Sequence, residues 1–166
     1  MKRSSEAVLQ LIAELENDYS YIHESSIRNG AMVARLARTD APDEFDHAAH
    51  GYTLHNLYNA FEAYFVRIAK FFENDIGESG WHRHLLERMT LDIEGLRIAL
   101  FPREFAFRLE ELLRFRHLFR NIYKSTLDPR KMAPVQDSAN DIATDFTAHH
   151  TRFVTFLRAL AAELRE

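Results

Sequence analysis

An all-α up-and-down bundle of four to five helices is the fold class this sequence predicts, on three observations. Apolar residues recur at helical spacing over long stretches, with Leu54, Leu57, Tyr58, Phe61, Phe65, Ile68, Ala69 and Phe72 holding one face. The 5 glycines and 4 prolines fall where helices should stop rather than inside them. No stretch keeps the period-two alternation of a half-buried strand, and there is no internal repeat or low-complexity segment. At 166 residues and 19.4 kDa the chain fits one domain, 1–166. A domain of that size buries about 70% of the surface its unfolded chain exposes and needs no staple.

The elements follow in order. The first helix is expected from about Ser5 to Arg38, started by Ser4 or Ser5 with Glu6 and bent or broken near Asn29-Gly30. After TDAP, punctuated by Asp40 and Pro42, the second runs from about Asp43 to Asn74, and IGESG ends it. The third spans Trp81 to Leu100, with Trp81 anchoring its start by packing, and Pro102 separates it from a fourth, Arg103 to about Ser125. LDPRKMAP, with Pro129 and Pro134, is expected to be the longest irregular connection, and a fifth helix then runs from about Asp137 to Leu164.

Composition narrows the function classes. With no cysteine, a disulfide framework, a Cys-type zinc site, thiol catalysis and c-type haem attachment are excluded. The opening MKRSSEAVLQL is interrupted by Glu6 and Gln10 before any apolar signal region forms, and no run approaches a membrane span, so the expectation is a soluble cytoplasmic protein with no membrane partner. There is no glycine-rich phosphate loop and no nucleophile elbow. The net charge is -4, yet from Arg114 to Lys131 the cations Arg114, Arg116, Arg120, Lys124, Arg130 and Lys131 face Asp128 alone.

The densest part of that stretch is RFRHLFRNIY, residues 114–123. At about 100° per residue, Leu112, Phe115, Phe119 and Ile122 form the core stripe of the fourth helix. Arg116, Arg120 and Tyr123 then share one border of the stripe, and Arg114, His117 and Asn121 share the outward face. The cluster is either a solvated helix edge or a site that handles a phosphate. An outward polar face makes a composite site only if a second copy supplies the other wall, which predicts a homodimer with the fourth helices near its two-fold axis.

Two further groups invite chemistry. His47, His50 and His55 lie on the second helix and His149-His150 on the last, but their spacing matches no recognised ligand set, and surface histidines on a polar helix side are the expected account, with no metal. Glu62 lies beside His55 and Asn59 at the edge of the core stripe. It either orients Arg116 or Arg120 through a bidentate pair or is an ordinary helix-surface carboxylate.

Residues 116–123, RHLFRNIY, resemble the signature of HepT-like proteins of the HEPN superfamily, in which an arginine, a polar residue, three residues, a histidine, one residue and a tyrosine follow one another. Arg116, His117 and Tyr123 match in spacing, and Asn121 stands where the histidine would be. YTLHNLYNAFEAYFVRIA at 52–69 and WHRHLLERM at 81–89 resemble the same family, so the likeness covers about residues 50–130.

The resemblance implies a HEPN-like bundle and the toxin of a toxin–antitoxin pair: a metal-independent endoribonuclease with no cofactor, acting on RNA at a homodimer interface. A minimal nucleotidyltransferase would neutralise it by attaching AMP to Tyr123. Arg116 would brace the phosphate, with Arg114, Arg120 and Lys124 contacting the RNA backbone, while a histidine moves protons. An amide neither gives nor takes a proton at useful pH, so Asn121 cannot take the histidine's part. Either His117 substitutes, or the protein is a weak or inactive HEPN module that holds a nucleotidyltransferase or an RNA without cleaving. A plain helical interaction protein is the third reading.

Overall fold

A computed structural model describes residues 4–73, 81–122 and 125–165. Among these residues there are six helices: α1 Ser5–Ala37, α2 Glu44–Glu73, α3 Trp81–Met89, α4 Arg103–Arg120, α5 Pro129–Ala139 and α6 Ile142–Glu163. No strand forms among them, and the single β-bridge joins Ile93 to Arg97. The class is all-α, as the apolar periodicity predicts.

Side-chain pairs fix how the helices run. From α1 to α2 the partners are Asp18 with Arg67, Asn29 with Thr53 and Arg35 with Asp46, so one number rises as the other falls and the helices are antiparallel. Ser5 with Ala161 and Tyr19 with Thr147 set α6 antiparallel to α1, and Asn59 with Arg116 and His55 with Phe119 do the same for α2 and α4. Phe146 of α6 sits where four helices converge, its ring 5.2 Å from Phe61 and from Tyr64 and 5.9 Å from Phe105, with Tyr19 at 6.4 Å. Phe61 and Tyr64 meet it edge-on, a geometry that adds attraction to the large area these rings bury. The stripe Leu54, Leu57, Tyr58, Phe61, Phe65, Ile68 and Ala69 is fully buried, so α2 is the central helix against which α1, α3, α4 and α5 pack.

Several expected boundaries are corrected. α1 passes through Asn29-Gly30 as one 33-residue helix. Asn29 is buried and exchanges hydrogen bonds with Gln136 of α5, so a residue that usually marks a helix end serves here as a tertiary contact. The third helix stops at Met89 instead of Leu100. Residues 90–101 instead form a compact turn in which Gly95 takes φ 69°, Ile93 N donates to Arg97 O at 2.8 Å and Leu100 N to Met89 O at 2.8 Å. Arg97 plugs that turn: it is buried, and its Nη2 reaches Glu73 of α2 at 2.6 Å and the Arg88 carbonyl at 2.8 Å. The IGESG stretch expected to end the second helix lies outside the described residues.

The connection LDPRKMAP is largely helical. Asp128 caps α5 by accepting from Arg130 N at 2.9 Å, Pro129 takes the first helical position, and Met132, Val135, Gln136 and Ala139 form the buried face. Pro134 lies inside α5 and is tolerated there. The long last helix expected from Asp137 is two helices, divided at Asn140-Asp141, where Asp141 has φ 57°. α4 ends at Arg120 rather than Ser125, with Asn121 as its C-cap.

Candidate functional site

The C-terminal half of α4 lies across the middle of α2, and that crossing decides what Arg116 touches. The helical period turns Leu109, Leu112, Phe115 and Arg116 inward, so the arginine joins the core border instead of reaching into solvent. It is 8% exposed. Its Nε donates to Asn59 Oδ1 at 2.8 Å, its Nη2 lies 3.5 Å from Glu62 Oε1, and its Cζ sits 5.9 Å from the centre of the Tyr58 ring. Nη1 is buried with no hydrogen-bond partner among the described residues. An orphaned buried donor costs about 1–3 kcal/mol, a strain that native structures keep where a site needs it.

An arginine only donates, so its bond fixes the Asn59 amide with the oxygen toward Arg116. The amide nitrogen then donates to His55 Nε2 at 2.9 Å. His55 must therefore carry its proton on Nδ1, which is itself buried without a partner. Burial, and then the charges of Arg116 and Arg120, hold His55 below the ordinary imidazole range, so it is neutral near pH 7.

Glu62 is the hub. It is buried, and while Oε1 faces Arg116, Oε2 accepts from His82 Nδ1 of α3 at 2.5 Å. It thus orients Arg116 through one oxygen and not through a bidentate pair. Tyr58, fully buried, lies beside it. Its hydroxyl makes no hydrogen bond of good geometry among the described residues, and burial followed by the Glu62 charge pushes its pKa up. Trp81 stacks on His82 with ring centres 3.8 Å apart, so it anchors the start of α3 and also holds this imidazole.

His117 is exposed, but it does not point away from this cluster. Its ring meets His82 edge-on at 5.8 Å. Burial, then His82, then Arg116 hold its pKa below the ordinary value, Glu62 opposing and Arg120 adding to the effect. Arg116 and His117, which the helix projection assigns to different faces, therefore meet through α3. Arg120, exposed at the last turn, adds its charge to this cluster.

The remaining expected residues sit elsewhere. Arg114 is on the outer face of α4 in ion pairs with Glu111 and, at 3.6 Å, Glu110. Asn121 is exposed and turned back on its own helix, its Nδ2 donating to the His117 carbonyl at 2.7 Å. Tyr123 and Lys124 lie outside the described residues.

The histidines weighed as metal ligands are dispersed. His50 bonds Gln136 at 2.7 Å and His150 bonds Tyr64 at 2.9 Å, and both are buried rather than on a polar surface. Among the described residues no group of three His, Asp or Glu is placed to hold a metal ion. No helix described is long and apolar enough to cross a membrane.

Sequence reasoning missed His82 and the bridging part of Asn59. The signal for Asn59 was present, since His55, Asn59 and Glu62 recur at four- and three-residue spacing on α2. His82 carried no comparable signal, because nothing in the period of so short a helix says which of His82 and His84 turns inward.

What the site offers chemically is two guanidiniums and three imidazoles around one buried carboxylate, at the meeting of α2, α3 and α4. Such a cluster holds the groups needed to attract a phosphodiester and to move protons beside it. A family model described as HepT-like protein matches residues 49–157, more than half of the chain, and its span contains every residue of this cluster. No curated protein and no solved structure matches.

Proposed function

The chain belongs to the HepT-like protein family, and from that premise we propose that it is a HEPN-type toxin: a homodimeric, metal-independent endoribonuclease neutralised by a minimal nucleotidyltransferase that attaches AMP to Tyr123. One observation carries the reading. Arg116 is held inside the bundle by Asn59 and Glu62, next to three imidazoles, and a charge held that firmly is suited to the charge that develops on a phosphate in the transition state. An arginine that only solvated a helix edge would need no such setting.

The outer face of α4 supports the dimer. Phe107 and Leu118 are both more than half exposed, and eleven residues apart on a helix they share one stripe with Arg114 between them. Large apolar side chains in such a stripe favour a second copy packed on the same face. His117 adjoins Leu118, so that packing brings the two sites together.

Pure protein is incubated with total RNA in chelator beside an Arg116→Ala variant. The expected result is cleavage by the wild type and a loss of at least about 10²-fold in the variant, with circular dichroism unchanged. Cleavage that survives Arg116→Ala, or needs added metal, refutes the reading. For the partner, co-expression with the nucleotidyltransferase should add AMP, seen by intact mass, and Tyr123→Phe should abolish the addition.

A second reading is favoured by Asn121. Its amide is engaged with the His117 carbonyl and it offers no proton, which fits a binding module that holds RNA or the nucleotidyltransferase without cleaving. RNA binding with no cleavage in the same experiment would select it.

A further inference from the structure

Resting on the ribonuclease reading, we infer that His82, held by Glu62, is a catalytic residue of this site: the proton donor to the leaving oxygen, paired with His117 as the base. The geometry has three parts. His82 Nδ1 is committed to Glu62 Oε2 at 2.5 Å, which fixes the ring's rotation and leaves Nε2 as its working atom. The Trp81 face, 3.8 Å away and 29° from parallel, blocks the ring from turning. The His117 ring lies beside it, the ring centres 5.8 Å apart and nearly perpendicular. That separation lets two imidazoles reach opposite oxygens of one phosphodiester.

Arg116 completes the arrangement. It shares Glu62 with His82, so one carboxylate positions both the group that braces the phosphate and the group that protonates it. At His117, burial and cationic neighbours favour the neutral ring, the form a base must start from.

The step balances. His117 takes the proton of the ribose 2′-hydroxyl, and the 2′-oxygen forms a bond to phosphorus. The bond from phosphorus to the 5′-oxygen breaks, and His82 Nε2 gives its proton to that oxygen. The products are a 2′,3′-cyclic phosphate and a 5′-hydroxyl end, with one proton moved from His82 to His117 through the substrate. Exchange with water restores both rings.

The test uses an oligoribonucleotide containing a linkage the wild type cleaves. It is compared with the same oligonucleotide in which the leaving 5′-oxygen at that linkage is sulfur, which departs as a thiolate without needing a proton. Wild type, His82→Gln, Arg116→Ala and Glu62→Gln are assayed in chelator, with the fold of each checked by circular dichroism. The expected result is a loss of about 10²-fold or more for His82→Gln on the oxygen substrate and less than about fivefold on the sulfur substrate, while Arg116→Ala is impaired on both. Glu62→Gln should lose part of the rate on the oxygen substrate while retaining the fold. Equal losses of His82→Gln on both substrates, or no loss on either, overturn the assignment while leaving Arg116-dependent cleavage intact. A wild type that cleaves neither substrate overturns the ribonuclease reading and this inference together.

Discussion

Gly51 gives a measurable handle on how the last turn of α4 is held. It is buried on α2, and a Cβ built there would lie 2.7 Å from Leu127 Cδ1 and 2.9 Å from Phe119 Cε2. Gly51→Ala therefore sets two effects against each other. Replacing glycine inside a helix gains about 1 kcal/mol of backbone entropy and propensity. Overpacking costs about 1–3 kcal/mol. Leu127 Cδ1 ends a flexible side chain and moves cheaply, but the Phe119 ring is wedged, with Phe115 at 5.8 Å and His55 at 5.4 Å. The overpacking term therefore wins by about 1 kcal/mol, and for a chain of this size Tm falls by about 2–4 °C. Gly51→Val adds two more carbons with a stiff χ1 and should cost at least about twice as much. Differential scanning calorimetry of the three proteins reads the series. A Gly51→Ala variant with a raised Tm would mean that propensity decides and that Phe119 does not close on α2, removing the packing that sets the end of α4 over His55.

Acid lability follows from the buried histidines. His50 and His150 are both held below the ordinary imidazole value, first by burial, so they stay neutral when folded and take protons when unfolded. The unfolded state then binds more protons, and stability is lost as pH falls below about 6.5, with a slope of up to about 1.4 kcal/mol per pH unit for each. Urea titrations from pH 8 to pH 5 measure it, and flat stability over that range refutes the neutral assignment. For the site itself, Asn121→His should leave single-turnover RNA cleavage within about threefold, because residue 121 caps its helix away from Arg116 and two imidazoles already stand beside the guanidinium. A tenfold gain would return the missing proton transfer to residue 121.

What could be read without the structure divides along physical lines. The α2 face was legible because a wholly buried helix stripe repeats at a fixed period whatever it packs against. α5 was not, because Pro129 and Pro134 read as punctuation, although Asp128-Pro129 is a helix start and Met132, Val135, Gln136 and Ala139 keep the helical spacing. The end of α3 depended on tertiary structure. Ile93, Leu96 and Leu100 continue a helical pattern, and only the burial of Arg97 against Glu73, with Gly95 at positive φ, folds them into a turn. In the site, Arg116 and His117 were legible because their spacing lies within one helix. His82 was not, because its place depends on how three helices rotate against one another.

The same division explains why an acidic chain gathers cations between residues 114 and 131. Three of the six are ion-paired. Arg114 is paired with Glu110 and Glu111, and Arg130 lies 3.1 Å from Asp128 at the start of α5. Exposed pairs of this kind contribute little to stability, but they remove bare charge from the surface. Arg116 is drawn inward, where a low dielectric strengthens its field, and Glu62 offsets only part of it because that carboxylate also serves His82. Arg120 adds its charge beside this cluster, so that His55 is depressed first by burial and then by both arginines. A broad basic surface would bind any polyanion it met. On the proposed reading, a net charge of -4 repels nucleic acid at long range, and Arg116 and Arg120 beside the histidines supply a local attraction. Charge placed in that way suits the proposed action on a single phosphodiester better than the holding of a length of backbone.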